Sequence, residues 1–593
     1  MSQQQRFILA FVLSIAILFG FTYLQRALYP PPPENANANV AVTPQNAATP
    51  AATNGPTQPP PTTNTTAPVV LNSNAPQRIV TIKSPLYETK LDTRGAMATS
   101  WILKQNNATQ HPLYSVAGPK TAQIPLELVS PEGLKRTPQE APLALATDDV
   151  NLSNALASST YALSGADTDT IDLSTGSKRL DFTLKDAASG VEIVKSITFY
   201  ADSYVTDIEV KATRGGQALP VKLLIGPSIG DQGISHYTFY SVAPEAVAFA
   251  NDGVERHLAQ AINEKNNNNL AINGNFAWAG VADTYFAMLA IPSTAMGGLA
   301  YTVSHKYEHD HSGTKENRYL LTAQLPLPAD GKTKLFVGPK DINVLAATDK
   351  NLGGTFALEK VVDYGFGETL SRPISKPILW AINKLNDLTG SYGIAIIIFT
   401  IIIYSLFFPL KWRSSKSMKK AQEYQPRMKE LQEKMKKMKS DDPRMKQLQV
   451  EQMQLFKESN MLGGCLPLLL QMPFLFALYR AITVSLDFRQ APFLWIPDLS
   501  TAEPYMIHIL PLLFAASMFL IQILTPNPTG DKMQRNMMAV MMPVMMLWMM
   551  WSAPAGLLVY WLVGNIVGVV QQFIINKTLH INPAGATTTP QTT

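Results

Sequence analysis

Three textures of hydrophobic and polar positions follow one another along the chain. Phe7 to Leu24 is almost wholly apolar between Arg6 and Arg26, and its 18 residues cover roughly 27 Å as a helix, enough to cross a bilayer core. A cleaved leader ends in small residues, whereas Thr22-Tyr23-Leu24-Gln25-Arg26 offers bulk and charge, so the pattern predicts an uncleaved signal anchor at 1–24. Pro30 to Pro68 is Pro, Ala, Asn, Thr and Gln with almost nothing to bury, which predicts an extended, disordered tether within 25–75. From Arg78 to Asp341 short runs alternate with period two, as in Val191-Glu192-Ile193-Val194-Lys195 and Tyr204-Val205-Thr206-Asp207-Ile208, with Gly, Asp and Asn between them. That pattern predicts antiparallel strands with one face in a core, and about 260 residues of it predict a large β-sandwich at 76–350.

Beyond it the chain is hydrophobic in blocks. Ile378, Leu379, Ile382, Leu385 and Leu388 fall at helical spacing, with Lys376, Asn383, Lys384 and Asp387 on other faces. This predicts an amphipathic helix lying in the membrane interface within 358–390. Five candidate spans follow within 391–580: Tyr392–Leu410, Cys465–Val484, His508–Leu524, Met537–Trp551 and Ala555–Ile575. The first two enclose a charged segment, 411–461, where Tyr424, Met428, Leu431, Met435 and Met438 form a stripe continued by Met445, Leu448, Gln452 and Leu455. The stripe, broken at Ser440-Asp441-Asp442-Pro443, predicts an antiparallel helical hairpin. A tail at 581–593 closes the chain.

Composition sharpens this picture. The 593 residues allow about four domain-sized units at about 150 each. Charged residues are 16%, against about 25% in soluble domains, while apolar content is ordinary, so much of the chain avoids water. The single cysteine, Cys465, excludes an internal disulfide framework. Net charge is +5, but fourteen basic against seven acidic residues make 411–461 locally +7. The positive-inside rule then puts this loop in the cytoplasm, the β-domain outside and both termini inside.

Candidate chemistry is sparse. Gly226-Pro227-Ser228-Ile229-Gly230 has the G-x-S-x-G spacing of serine hydrolases, but Asp231-Gln232-Gly233 follows where a helix is needed, so it reads as a turn. His305, His309 and His311 flank Glu308 and Asp310 without an evident fourth ligand, and the segment reads as a surface loop at a hairpin tip rather than a metal site. The spans carry polar residues that pure anchors do not need: Thr400, Tyr404 and Ser405, then Gln471, then Ser517 and Gln522, then Asn565, Gln571 and Gln572. Such groups face a bundle interior or wet cavity, or join helices by hydrogen bonds. Gly564 and Gly568 form a GxxxG pair that reads as close helix packing. Met533, Met537, Met538, Met541, Met542, Met545, Met546, Met549 and Met550 gather nine of 23 methionines into one span and its approach, suited either to lipid or to varied apolar partners.

Several runs carry a resemblance. Gly463-Gly464-Cys465-Leu466-Pro467, Gln471-Met472-Pro473-Phe474-Leu475-Phe476-Ala477-Leu478-Tyr479, Asp487-Phe488-Arg489-Gln490-Ala491-Pro492-Phe493, Gly556 through Asn565, and Asp363-Tyr364-Gly365 resemble the YidC membrane-protein insertase family of the YidC/Oxa/Alb type. The layout is similar to the Gram-negative form. The resemblance implies an α-helical bundle of six transmembrane helices, five of them the insertase core, with an all-β periplasmic supersandwich and a cytoplasmic hairpin. It implies a multi-pass inner-membrane insertase without cofactor, metal or catalysis, acting on nascent membrane proteins, alone or beside the Sec translocon, with the ribosome and lipids as further partners and no DNA. By position, Thr400, Tyr404, Gln471 and Asn565 would line a hydrophilic groove, and Met472, Tyr560 and Trp561 would meet the substrate helix. Lys411, Arg413, Lys434, Lys436 and Lys437 would contact substrate or ribosome on the cytoplasmic side.

Two departures stand out. Tyr404 occupies the position, five residues before Pro409, where relatives usually hold an arginine, and the tail from Asn582 lacks a basic run. Arg480, about 22 Å into its span, should snorkel outward, whereas Lys411, two turns below Tyr404, reaches upward on roughly the same face. Two other classes compete: a secondary transporter, which usually shows an inverted repeat that is not evident, and a membrane-anchored periplasmic carbohydrate-binding or -modifying protein, which leaves five further spans unexplained.

Overall fold

The computed structural model describes residues 71, 73–238, 240–311, 313–364, 368–437, 444–458, 461–504, 507–525 and 532–579. The expected signal anchor, most of the tether, the hairpin turn at 440–443 and the tail lie outside them. The described residues from 71 to 525 and from 538 to 579 belong to one compact unit.

The alternating runs are strands. Five form a small sheet in the order Leu126–Glu127, Met97–Leu103, Tyr87–Asp92, Ile79–Lys83 and Thr170–Asp172, antiparallel except for the last pair. A 14-stranded sheet is built mainly from Lys222–Ile225, Thr314–Pro326, Met296–His311, Asn269–Ala282, Phe286–Pro292, Lys332–Pro339, Val205–Arg214, Val191–Tyr200 and Ser177–Asp186, in that spatial order. Period-two alternation sends Leu180, Phe182 and Leu184 inward, where they join Trp101, Phe199 and Tyr87 in one core. The strands end at Pro339, and a helix at Ile342–Asn351, capped by the Asp341 carboxylate, closes the domain.

One reading changes at this level and one holds. His305 and His309 lie not in a loop but on the long strand Met296–His311, paired to Leu320 and Glu316 of the next strand, because β-branched and aromatic residues carry the ladder almost to its tip. Among the described residues no three ligating side chains converge. Ser228 sits in a turn at φ 46°, donates to the Tyr319 carbonyl and accepts from the Leu321 amide at 3.0 Å, so its hydroxyl is a backbone staple.

The C-terminal module is helical: α1 (Glu368–Thr389), α2 (Tyr392–Glu423), α3 (Gln425–Lys437), α4 (Arg444–Glu458), α5 (Met461–Val484), α6 (Ile509–Leu524), α7 (Lys532–Met549) and α8 (Ala555–Leu579). Ile378 and Ile382 bury the apolar face of α1, and Ser375 donates to the Ala477 carbonyl of α5 at 2.8 Å. The helix that carries the first expected span does not stop at Leu410. No helix breaker follows, so α2 runs 32 residues, about 48 Å, and 411–423 belongs to it rather than to the hairpin. The hairpin proper is α3 and α4, with Met428, Leu431 and Leu455 buried between them and Tyr424 and Leu448 packed alongside. Among the described residues α2 and α8 are long and apolar enough to cross a membrane; α6 and Ala539–Met549 are shorter apolar helices.

The β-domain is fixed to this module through the segment after α5. Arg489 pairs with Asp231, each side chain under 5% exposed, and donates to the Tyr114 carbonyl at 2.6 Å. Asp231 also accepts from Ser115 Oγ at 2.6 Å and from the Val116 amide at 2.9 Å, while Gln490 donates to the Ser115 carbonyl at 2.7 Å. Both charges are therefore paired and further hydrogen-bonded, the condition under which burial is tolerated.

Candidate functional site

The face of α2 that carries Thr400, Tyr404 and Lys411 packs on the face of α8 that carries Tyr560, Gly564, Gly568 and Gln571, residues spaced by three and four. Absence of a side chain at Gly564 makes room for the Tyr404 phenol: a Cβ there would lie 2.4 Å from its Oη and 2.6 Å from its Cζ. One turn on, Lys411 Nζ donates to the Gly568 carbonyl at 2.8 Å. Gln571 donates to the Tyr404 backbone carbonyl at 2.9 Å. Tyr404 and Tyr560 meet edge to face with ring centres 6.3 Å apart. The Gln471 amide of α5 lies beside both phenols, yet the Tyr560 hydroxyl has no partner at hydrogen-bonding geometry among the described residues. The result is a polar seam, with one cation and a spare donor, enclosed by apolar helices.

The other expected groove residues are distributed unequally. Thr400 is fully buried and donates to the Ile396 carbonyl of its own helix at 2.6 Å. Met472 is exposed. Trp561 stacks on Phe514 of α6 with centres 5.5 Å apart. Asn565 donates to Ser517 Oγ at 3.0 Å, and Asn576 to the Leu524 carbonyl at 2.9 Å, so these amides join α8 to α6. Arg480 is half-buried with its guanidinium 5.6 Å from the Tyr479 ring centre.

On the charged side Arg413 and Lys437 are exposed, and Lys434 is paired with Glu430 at 2.8 Å. The side chain of Lys436 lies outside the described residues. Lys419 donates to the Leu579 carbonyl at 2.5 Å, satisfying the C-terminal end of α8. Sequence reasoning missed the seats that Gly564 and Gly568 provide, although their spacing was visible. It also missed Asp231, which directly follows the rejected serine motif, and no local pattern links it to Arg489.

Comparison with known proteins bears on the whole chain. The model described as YidC periplasmic domain matches residues 79–380, and that described as 60Kd inner membrane protein matches 384–582. The membrane protein insertase YidC of Syntrophus aciditrophicus is 30% identical over 597 residues, covering 96% of this chain and 99% of that one. The chain belongs to the YidC family. The YidC of Geobacter metallireducens is similarly 29% identical over 593 residues, with 97% and 99% covered. That of Geobacter sp. strain M21 is 43% identical over 249 residues, 41% of this chain and 42% of its own. An active YidC insertase crystal structure with its first transmembrane domain resolved covers 84% of this chain and 94% of that one, at 14% identity and a TM-score of 0.33. As in the YidC family, an all-β periplasmic domain precedes a block of C-terminal helices.

Proposed function

We propose that this YidC-family insertase moves polar parts of a nascent membrane protein along the seam between α2, α5 and α8. The observation that carries the reading is the pairing of Tyr404 with Gly564 and Lys411 with Gly568, which puts hydroxyl, amide and ammonium groups inside an apolar bundle. A charged residue at the bilayer centre costs about 2.5–3.5 kcal/mol on insertion scales, so a lane of hydrogen-bonding groups lowers the barrier for a polar tail. The apolar segment of the substrate then leaves sideways past Met472 and Trp561 into lipid, where burial yields about 25 cal/mol per Å². Nothing covalent and no nucleotide is required, so the protein acts as an insertase and chaperone rather than an enzyme.

In this reading Phe7–Leu24, α2, α5, α6, α7 and α8 make six spans in the inner membrane, α1 lies in the periplasmic interface, and both termini are cytoplasmic. The +7 charge of 411–461 supports that orientation. The hairpin, with Lys434, Lys436 and Lys437, receives substrate near the ribosome, and the Sec translocon is a second partner. Because Tyr404 is uncharged at pH 7, attraction for acidic tails falls to Lys411 and Arg413. Replacing both by alanine should reduce the inserted fraction of an acidic-tailed substrate well below that of a neutral-tailed one. Equal loss for both tails, or no loss for either, would contradict the assignment.

A further inference from the structure

A cavity of about 390 Å³ lies where α1 meets the segment Lys340–Asn343 leaving the β-domain and the segment Val484–Asp487 ending α5. Its wall carries charge of both signs. Asp341, Asp387 and Asp487 stand close enough together that all three act on the Tyr392 phenol. On α1, which also carries Asp387, Lys376 is held by Glu359 at 3.0 Å and Lys384 by Asp387 at 3.1 Å. Both lysine side chains stay substantially exposed, leaving N–H donors free for a further acceptor.

The carboxylates at the acidic end are hydrogen-bonded, Asp341 to the Asn343 and Val344 amides and to Asn106 Nδ2, Asp487 to Ser485 Oγ at 2.9 Å, and one amide oxygen beside them is not. Asn383 donates to Asp487 at 3.0 Å, but its own Oδ1 is buried with no partner among the described residues. Native structures rarely leave such an acceptor unpaired. Burial pushes the Asp487 carboxyl up, and the charge of Asp341 pushes it further. A cation that donates hydrogen bonds would relieve both groups. Beside the mouth, Trp380 is 66% exposed, and Leu388, further along the same helix, is 82% exposed, an apolar ledge suited to acyl chains at a membrane surface.

We propose that this cavity binds the headgroup of a zwitterionic phospholipid with a primary ammonium, the ammonium against Asp341, Asp487 and Asn383 Oδ1 and the phosphate between Lys376 and Lys384. The inference rests on the interfacial placement of α1. A primary ammonium brings three donors to carboxylates and an amide oxygen, whereas a trimethylated one brings none. The ledge favours a lipid over a free phosphoamine, which would leave it bare.

The test is native mass spectrometry of the full chain in mild detergent with equimolar phosphatidylethanolamine, phosphatidylcholine and phosphatidylglycerol of identical acyl chains. Phosphatidylethanolamine should be retained about ten-fold over either competitor. Asp487→Asn with Asn383→Leu should bring the three near parity. Asp387→Asn, at an exposed rim position that spares the fold, removes a negative charge and frees Lys384, and should cut the preference over phosphatidylglycerol about two- to three-fold. Glycerophosphoethanolamine, the headgroup without chains, should compete poorly. Equal retention of the three lipids, a preference for phosphatidylglycerol, a preference unchanged in both variants, or full competition by the free headgroup would each overturn the proposal. Insertion is not measured, so failure here leaves the insertase reading intact.

Discussion

Lys411 on α2 donates a 2.8 Å hydrogen bond to the carbonyl of Gly568 on α8. One turn away, Gly564 accommodates the Tyr404 phenol. The GxxxG spacing therefore does more than bring two backbones together: it admits the tips of two polar side chains from the neighbouring helix.

The two glycines should respond differently to alanine. At Gly564 the new methyl would collide with a phenol fixed by ring contacts, whereas at Gly568 it would meet Lys411 Nζ at 3.4 Å, an ordinary contact. Gly564→Ala should cost about 1–3 kcal/mol by overpacking, and Tyr404→Ala in the same chain should recover most of it. Gly568→Ala should be milder. Thermal unfolding in detergent, arranged as a double-mutant cycle, measures both.

The Arg489–Asp231 pair predicts that a point change harms the junction more than loss of the whole β-domain harms insertion. Asp231→Ala strands a buried guanidinium, a cost of roughly 3–5 kcal/mol. Deleting about Arg78 to Asp330 instead exposes Arg489 to water, and insertion should persist. Hydrogen exchange across 488–500 should rise in Asp231→Ala. Complete loss of insertion in the deletion variant, with its helices still folded, would count against this.

Stability of the β-domain should depend on pH through its buried lysines. Burial pushes Lys195 down to about 7 and Lys340 to about 8, from an ordinary 10.5. Both donate to backbone carbonyls, Lys195 to Ala96 and Leu143, Lys340 to Asp283. Between the lowered and ordinary values the unfolded chain binds more protons, so stability rises with pH from about 7 towards 10.5 and is insensitive to these groups below 7. Lys195→Met should flatten that rise by an amount on the order of 5 kcal/mol. Pulse proteolysis of the full chain in denaturant, repeated across pH, reads it.

The proposed orientation rests on the basic hairpin. With Cys465 replaced, a cysteine at Ser440 should react with an impermeant maleimide only after cells are opened. Labelling of intact cells would reverse the topology.

What could be read from the chain beforehand depended on the range of the interaction. Period-two alternation around Ser177–Asp186 and the stripe from Tyr424 to Leu455 are local patterns, and the strands and the hairpin followed from them. Hydropathy falls at Lys411 and marks an expected membrane boundary there, while helix propensity carries α2 on to Glu423, so the end of the helix is not legible from hydropathy. The polarity of the segment with His305 and His309 reads as a loop, while the strand ladder that continues through it depends on the partner strand. Lys411 and Tyr404 were legible as one helix face, but their glycine seats depend on which helix packs opposite. Asp231 and Arg489 are 258 positions apart, and no local pattern announces such a pair.

The most direct test of the seam as the path of insertion is site-specific photocrosslinking from Met472 and Trp561 to a stalled nascent membrane protein. Val570, exposed on α8, serves as the lipid-facing reference. Strong adducts from Met472 and Trp561, weak ones from Val570, and loss of the strong adducts on Gly564→Leu are expected. Uniform adducts from all three positions, or adducts from Val570 alone, would contradict the account.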